Sequence, residues 1–202
     1  MDERLHFPAT KRNSKCIGDT LIKYLPENCK VLEIASGSGE HGVEFQRRLP
    51  STIWQTSDPL AVNRKSIIAW IKHKGLEAKM PSPLNLNVNE KYWIEGHKMI
   101  PCIKSIICIN MLHVSSMEST NSLFKGASNY LEKGCLLIIY GPFKKRGNHI
   151  SKSNEIFDES LKKQNPDWGL RELEKVSKIG FDNGFELDNI IEMPVNNIIT
   201  IF

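Results

Sequence analysis

"VLEIASGSGEHG", residues 31–42, decides the fold of this 202-residue chain. Its apolar run predicts a buried strand, its glycines predict a tight turn, and a helical pattern begins at Glu40. Gly37, Gly39 and Gly42 match the spacing G-x-G-x-x-G, which is typical of loops that hold a dinucleotide at a helix N-terminus. Because glycine lets a backbone approach a ligand closely, the stretch predicts a ligand-binding loop.

The rest of the chain repeats the order of a strand followed by a helix. Strands are predicted at 30–35, 51–58, 84–88, 103–110 and 135–141, and helices at 14–25, 40–49, 61–75, 116–134 and 169–182. Residues 89–99 predict a poor helix, and two consecutive strands, 185–193 and 196–202, end the pattern. The alternation predicts one α/β domain over residues 1–202, with a mainly parallel sheet covered by helices on both faces.

Two segments depart from this alternation. Residues 1–13 predict a loose N-terminal arm, and residues 142–167 predict an insertion with a short helix at 154–163. Because both would lie near the carboxyl edge of the sheet, where such folds bind ligands, we expect them to form a lid.

Composition excludes several classes of protein. The net charge of +4 and the isoelectric point near 8.7 are too weakly basic to indicate a nucleic-acid partner. The charged start and the lack of an 18-residue apolar run predict a cytoplasmic protein without a membrane partner. Five cysteines without a C-x-x-C pair predict buried, reduced thiols, and the scattered histidines predict no metal site. The oligomeric state stays open.

Three features favour S-adenosylmethionine (SAM) over NAD as the ligand. Glu33 places a carboxylate at the end of the first strand, where it can pair with the ammonium group of SAM. Ala35 fits the form E-x-(G/A)-x-G-x-G, the first motif of class I methyltransferases. Two consecutive strands end the chain, as in class I methyltransferases, whereas a dinucleotide-binding fold would continue to alternate. Asp58 supports a bound ligand without deciding between the two, because it ends the second strand, 21 residues after Gly37, where an acid can accept hydrogen bonds from the ribose hydroxyls of either.

Several motifs together resemble one small family. They are E-I-A-S-G-S-G-E-H at 33–41, S-D-P at 57–59, N-M-L-H at 110–113, Y-G-P-F at 140–143, M-P-V-N-N at 193–197 and the pair Arg12-Asn13. The chain resembles, over nearly its whole length, the methyltransferase-like family called domain of unknown function 938. The resemblance implies a Rossmann-like class I methyltransferase fold, a three-layer sandwich whose mostly parallel, seven-stranded sheet has its last strand antiparallel, with SAM as cofactor.

The resemblance also implies roles for individual residues. Glu33 would face the methionine ammonium and Asp58 the ribose. Asn87 stands where such enzymes often have an aspartate for the adenine amino group, and its amide oxygen can still accept that bond. The expected cofactor-binding residues are Glu33, Ala35, Ser36, Gly37, Gly39, His41, Asp58, Pro59, Asn87, Val88, Asn110 and Met111.

Methyl transfer requires alignment and, for some acceptors, a base. His113 is the candidate base and Tyr140 the candidate contact to the acceptor. The alternatives are a histidine that bonds to the backbone or only shapes the pocket, and a core tyrosine. The basic run 144–146 either recognises an acidic acceptor or is solvated. The expected acceptor-binding residues are Arg12, Asn13, Lys144 and Asn196.

The sequence therefore predicts a SAM-dependent methyltransferase with a small-molecule acceptor whose methylated atom is O, N or S. No N-P-P-Y motif follows the fourth strand, which argues against methylation of nucleic-acid bases. Two alternatives stay open, a non-catalytic SAM-binding module and an NAD-dependent oxidoreductase.

Overall fold

A mixed sheet forms the centre of the molecule in the computed structural model, which describes residues 2–91, 93 and 102–202. The strands in this part of the chain are β1 (Lys30–Ile34), β2 (Ile53–Thr56), β3 (Ile103–Ile109), β4 (Leu136–Gly141), β5 (Phe143–Lys145), β6 (Asn148–His149), β7 (Arg171–Glu172), β8 (Asn189–Met193) and β9 (Asn197–Ile201). Six of them form the main sheet in the order β2-β1-β3-β4-β9-β8, and the other three form a small sheet in the order β6-β5-β7.

Strand directions confirm the predicted fold class. Strands β1 to β4 are mutually parallel, and β9 runs antiparallel to both β4 and β8. The predicted strand 84–88 is reduced to one parallel bridge between Ser57 and Leu84, so the count of seven strands is not reached in the described residues. The Ser82 carbonyl accepts from Gln55 Nε2 and the Asp58 carbonyl accepts from Arg64, so the groups that would extend the bridge on either side have other partners.

Helices cover both faces of the sheet. They are α1 (Pro8–Tyr24), α2 (Glu40–Arg48), α3 (Ala61–Lys74), α4 (Met117–Tyr130), α5 (Lys152–Gln164) and α6 (Leu173–Asp182). Helices α1, α2 and α3 pack on one face, and α4 and α6 pack on the other. The three-layer α/β arrangement predicted from the alternation is therefore confirmed.

Alternation along β1 assigns its side chains to two separate cores. Val31 packs under α1, α2 and α3, whereas Leu32 and Ile34 pack on the side of α4 and α6. Because successive side chains of a strand point to opposite faces, Glu33 shares the face of Val31. Fully burying an aliphatic side chain of this size stabilises the fold by about 1.5–3 kcal/mol, so the register of β1 is strongly determined.

The two irregular segments are more ordered than the sequence predicts. Helix α1 begins at Pro8, so the arm is limited to the residues before it. Proline suits a first helical position because the N–H that it lacks would have no partner there. Residues 142–167 contain β5, β6 and α5, and the helix predicted at 169–182 starts only at Leu173 because 171–172 pair with β5. The predicted helix 89–99 lies mostly outside the described residues.

The structure tests two predictions from composition, the burial of the cysteines and the absence of a membrane-spanning helix. All five thiols are free, but only Cys29 and Cys108 are buried, and Cys102 is exposed. The prediction of uniformly buried thiols is therefore wrong. Among the helices in the described ranges, none combines the length and the apolar character that crossing a membrane requires.

Gly42 allows α2 to lie close to the sheet, and its replacement tests that contact. A Cβ atom at Gly42 would come within 2.7 Å of the Glu33 carboxylate and 2.9 Å of Thr56 Cγ2. We expect Gly42→Ala to lower the free energy of unfolding by about 1–3 kcal/mol, as overpacking does, measured by urea denaturation. Arg47→Ala, an exposed change on the same helix, is the control, and equal losses in the two variants would contradict the prediction.

Candidate functional site

A cavity of about 580 Å³ lies at the carboxyl ends of the parallel strands. Its size falls in the range of about 300–1,000 Å³ that is usual for small-molecule sites. The predicted site residues that line it are Arg12, Asn13, Ala35, Ser36, Gly37, His41, Asp58, Asn110, Met111, His113 and Tyr140. Those not among its lining residues are Glu33, Gly39, Pro59, Asn87, Val88, Lys144 and Asn196.

The loop after β1 is tied to the end of β2. The Ser36 N–H donates to the Ser57 carbonyl at 2.8 Å, and the Gly37 N–H donates to Asp58 Oδ2 at 3.0 Å. Ala35 and Gly37 both have left-handed backbone, with φ of 53° and 56°. Two such turns let the loop fold back over the strand end, and Ala35 adopts this conformation although it carries a Cβ.

Gly39 has a packing role that differs from the predicted contact with a ligand. Its φ is 88°, and a Cβ there would come within 2.9 Å of the Ile67 Cα. The missing side chain therefore lets α3 approach the start of α2.

Asp58 is the acidic group of the cavity, and its side chain is well ordered by hydrogen bonds. Its Oδ1 accepts from the Leu60 N–H at 2.9 Å and from Asn63 Nδ2 at 3.1 Å, while Oδ2 accepts from Gly37. A carboxylate has about four acceptor positions, so capacity remains for a ligand hydroxyl. Arg64, which sequence reasoning missed, donates to the carbonyls of Asp58 and Pro59 and so holds this strand end.

Glu33 lies beneath the loop, which differs from the position predicted for it. Its Oε2 accepts a hydrogen bond of 2.9 Å from Trp54 Nε1, and the residue is 1% exposed. Burial raises the pKa of Glu33 to about 7, although hydrogen bonds from Trp54 and Ser36 oppose this shift. The strand alternation that puts Glu33 beside Val31 directs its carboxylate under α2, away from the lining of the cavity.

His113 follows β3 in a short 3₁₀ turn, Leu112–Val114, and lines the cavity. Burial lowers its pKa to about 4, with a smaller contribution from the positive charge of Arg171, so the ring is neutral at pH 7. Among the described residues, no side chain or backbone group forms a hydrogen bond with its ring nitrogens. The structure therefore does not show the backbone partner considered as an alternative, and the ring can bond to a ligand.

Arg171 holds the turn that carries His113. Its guanidinium donates to the carbonyls of Leu112, Ser115 and Asp167. The Gly169 N–H also donates to the His113 carbonyl at 3.0 Å. The segment before α6 thus positions the candidate base, which the sequence did not indicate.

Tyr140, Asn13 and His41 form a buried polar row across β4, α1 and α2. His41 Nε2 and Asn13 Oδ1 are 2.7 Å apart. Burial lowers the pKa of His41 to about 4, so the neutral ring donates this bond. Burial also raises the pKa of Tyr140, and a hydrogen bond with Asn13 opposes the shift. These three side chains line one wall of the cavity with polar groups that carry no net charge.

Other predicted residues have local roles instead. Asn87 Oδ1 accepts from the Asn89 N–H at 3.1 Å, and Val88 is buried in the core beside α4 and α6. Lys144 lies within β5, which is paired on both sides by β6 and β7. Strand pairing therefore holds the basic run apart from the lining of the cavity.

Asn196 contributes through its backbone. Its carbonyl accepts from Asn154 Nδ2 at 3.0 Å, while its neighbours Val195 and Asn197 line the cavity. The motif that contains Asn196 therefore reaches the site, but through different side chains from the one predicted.

The N-terminal arm reaches the site through Phe7, which sequence reasoning missed. Its N–H donates to Glu40 Oε2 at 2.8 Å, and its ring would lie 2.8 Å from a Cβ at Gly37. Trp70 Nε1 donates to the Leu5 carbonyl at 3.0 Å. The arm is thus fastened across α3 and the start of α2, beside the glycine loop. A large apolar residue just before a helix-starting proline was the available signal.

Comparisons with known proteins agree with this fold. The family model described as "Protein of unknown function (DUF938)" matches residues 4–202. An O-methyltransferase family protein from Burkholderia thailandensis superimposes with a TM-score of 0.76 at 16% identity, covering 96% of this chain and 56% of that one. An O-methyltransferase family 2 protein from Planctomyces limnophilus, in complex with apigenin, gives 0.74 at 13% identity, covering 93% and 60%.

A third solved structure, PigF with S-adenosylhomocysteine (SAH), gives a TM-score of 0.68 at 13% identity and covers 85% of this chain and 49% of PigF. The chain thus spans about half to three-fifths of the length of these proteins. At these identities the similarity establishes the fold.

The raised pKa of Glu33 predicts that stability falls as pH rises. Below its ordinary pKa of 4.5 the carboxyl is protonated in both states, and between 4.5 and about 7 only the unfolded chain releases the proton. Glu33→Gln keeps an acceptor for Trp54 without the charge. We expect it to exceed the wild type in free energy of unfolding by up to about 3 kcal/mol at pH 8 and by less than about 1 kcal/mol at pH 5.

The exposed Glu77 provides the control for this experiment. Glu77→Gln should follow the wild type at both pH values in the same denaturation series. A stability difference between Glu33→Gln and wild type that did not change with pH would contradict the buried position of the Glu33 carboxylate.

Proposed function

We propose that this chain, which belongs to the family described as protein of unknown function DUF938, transfers a methyl group from SAM to a small-molecule acceptor. The observation that carries the proposal is the meeting of the glycine loop, Asp58 and His113 around one cavity at the carboxyl ends of parallel strands. Such an edge is where open α/β sheets bind ligands.

The residues present fit SAM at one end of the cavity. Ala35 and Gly37 present left-handed backbone toward the ligand, and Asp58 keeps an acceptor position for a ribose hydroxyl. Glu33 fits less directly, because its carboxylate bonds to Trp54 beneath the loop. We infer that Glu33 supports the loop from below, and that the loop backbone and Ser36 contact the methionine portion.

SAM, when bound, supplies an already activated methyl group, so the chain has to bind and align its substrates. Asn110 and Met111, directly after β3, would line the floor beside the reacting groups. His113 would accept a hydrogen bond from an acceptor hydroxyl, thiol or amine and take its proton as it is released. A base with a pKa near 4 is unprotonated throughout the physiological range but weak, so orientation is its main contribution.

Further properties of the protein stay predictions from the sequence. These are its cytoplasmic location, the lack of nucleic-acid and membrane partners, and the closure of the arm and of residues 142–167 over bound ligands. Phe7 from the arm and Phe157 from α5 both line the cavity, which supports a role for these two segments in covering it.

Binding of SAH tests the cofactor assignment. We expect calorimetric titration to show one SAH site per chain and Asp58→Ala to weaken it at least tenfold, because the ribose loses its acceptor and the Gly37 N–H its partner. Asp182→Ala is the matched control, since it removes an exposed carboxylate at the end of α6, outside the lining of the cavity. Its affinity should stay within threefold of wild type.

Two results would overturn the cofactor assignment. One is binding of NAD with no binding of SAH, which would favour the oxidoreductase alternative. The other is unchanged SAH affinity in Asp58→Ala.

Transfer of a tritiated methyl group from SAM to a panel of thiols, hydroxyls, carboxylates and amines tests catalysis. For any acceptor that is methylated, we expect His113→Asn to lower kcat about tenfold or more and to leave SAH affinity unchanged. Loss of base function on protonation should appear only as pH approaches about 4. His73→Asn, an exposed change on α3, should keep wild-type kcat. Full activity of His113→Asn would exclude the base, and SAH binding without any transfer would favour the non-catalytic module.

A further inference from the structure

The cavity has an apolar mouth formed by side chains that stay partly exposed. Phe7, Val114, Phe157 and Val195 all line it, and their exposures are 43%, 38%, 40% and 71%. They come from the arm, the turn after β3, helix α5 and the β8–β9 connection. Exposed apolar side chains that gather at one opening mark a surface that an apolar ligand covers.

Val195 reaches the mouth through an unusual backbone conformation. Its φ and ψ are 60° and 38°, in the left-handed region that a β-branched residue rarely occupies. Asn197 Nδ2 donates to the carbonyls of Pro194 and Val195 at 3.3 Å each. Strained conformations of this kind persist where the surroundings hold them, and they cluster at ligand sites.

Helix α5 fastens this turn so that Phe157 and Val195 share the opening. Asn154 is 5% exposed, and its Nδ2 donates to the Asn196 carbonyl at 3.0 Å. Phe157 lies one helical turn further along α5, and its ring meets the His113 ring edge-on with centroids 5.5 Å apart. The apolar mouth thus leads directly to His113.

Charges around this end of the cavity favour an uncharged occupant. Among the described lining residues, Arg12 and Asp58 are the basic and acidic side chains other than histidine, and burial keeps His41 and His113 neutral. Asp58 is bound to the glycine loop, and Arg12 is exposed to solvent. A buried carboxylate or phosphate on the acceptor would lack a buried cation as its partner, which is costly. The basic run 144–146 is not among the residues that line the cavity, so it does not support an acidic acceptor.

We propose that Phe157 and Val195 grip the flat apolar body of an uncharged acceptor and direct its polar atom toward His113. An aromatic ring between these side chains would stack or meet the Phe157 ring edge-on, as aromatic pairs prefer. The identity of this occupant as a methyl acceptor rests on the proposed function, whereas its binding at the mouth does not.

Two probes of matching shape and different charge test the inference. We expect 2-naphthol, neutral at pH 7, to bind in calorimetric titrations of the full chain with saturating SAH, and 2-naphthoate to bind at least tenfold more weakly. Phe157→Ala and Val195→Asn should each weaken 2-naphthol about tenfold, because the probe then buries less apolar surface. Asparagine tolerates the left-handed backbone, so Val195→Asn should keep the turn.

Controls separate this inference from folding and from the proposed function. Phe181→Ala removes a ring that is 71% exposed on α6 and should leave 2-naphthol affinity unchanged. Equal affinity for the two probes, no binding of 2-naphthol, or unchanged affinity in both mouth variants would each overturn the inference. If SAH fails to bind wild type, the proposed function fails. The same titrations of the two naphthalene probes without SAH would still test whether the apolar mouth binds an uncharged occupant.

Discussion

The close contact of helix α2 with strands β1 and β2 at Gly42 determines where the candidate site lies. A side chain there would force its neighbours to move, since a Cβ would come within 2.7 Å of the Glu33 carboxylate. This contact seals the hydrogen bond from Trp54 to Glu33 beneath the helix. Because α2 begins so near the end of β1, the loop between them has to turn sharply, and its left-handed residues Ala35 and Gly37 line the cavity as a result.

The groups that line the cavity come from two parts of the fold. Its polar floor follows from the parallel sheet, since the loops after β1, β2 and β3 leave at the same edge and bring Ser36, Asp58 and Asn110 together. Its apolar mouth comes from α5 and from the connection between β8 and β9, which Asn154 joins by one hydrogen bond. Under the proposed function, the floor would hold SAM and the mouth would select the acceptor.

Several residues predicted from strand ends line the cavity. Asp58, Asn110 and His113 line the cavity because each lies shortly after the end of a parallel strand, and strand ends can be recognised from a local apolar run. Glu33 does not follow this rule, because it lies inside β1, before Ile34, and its carboxylate points under α2. Lys144 was misplaced because nothing in a basic run shows that the strand containing it pairs with residues 171–172.

The sequence by itself determined the order of strands and helices, the sharp turn after β1 and the polar groups at the strand ends. These depend on local periodicity and on the few residues that tolerate left-handed backbone. Only the tertiary structure decided which side chains share the cavity and which are ionised there. Asn13 meets His41 across 28 residues and Asn154 meets Asn196 across 42, and the neutral state of His113 comes from its burial. Such contacts depend on the packing of distant segments, and protonation depends on how far that packing excludes water.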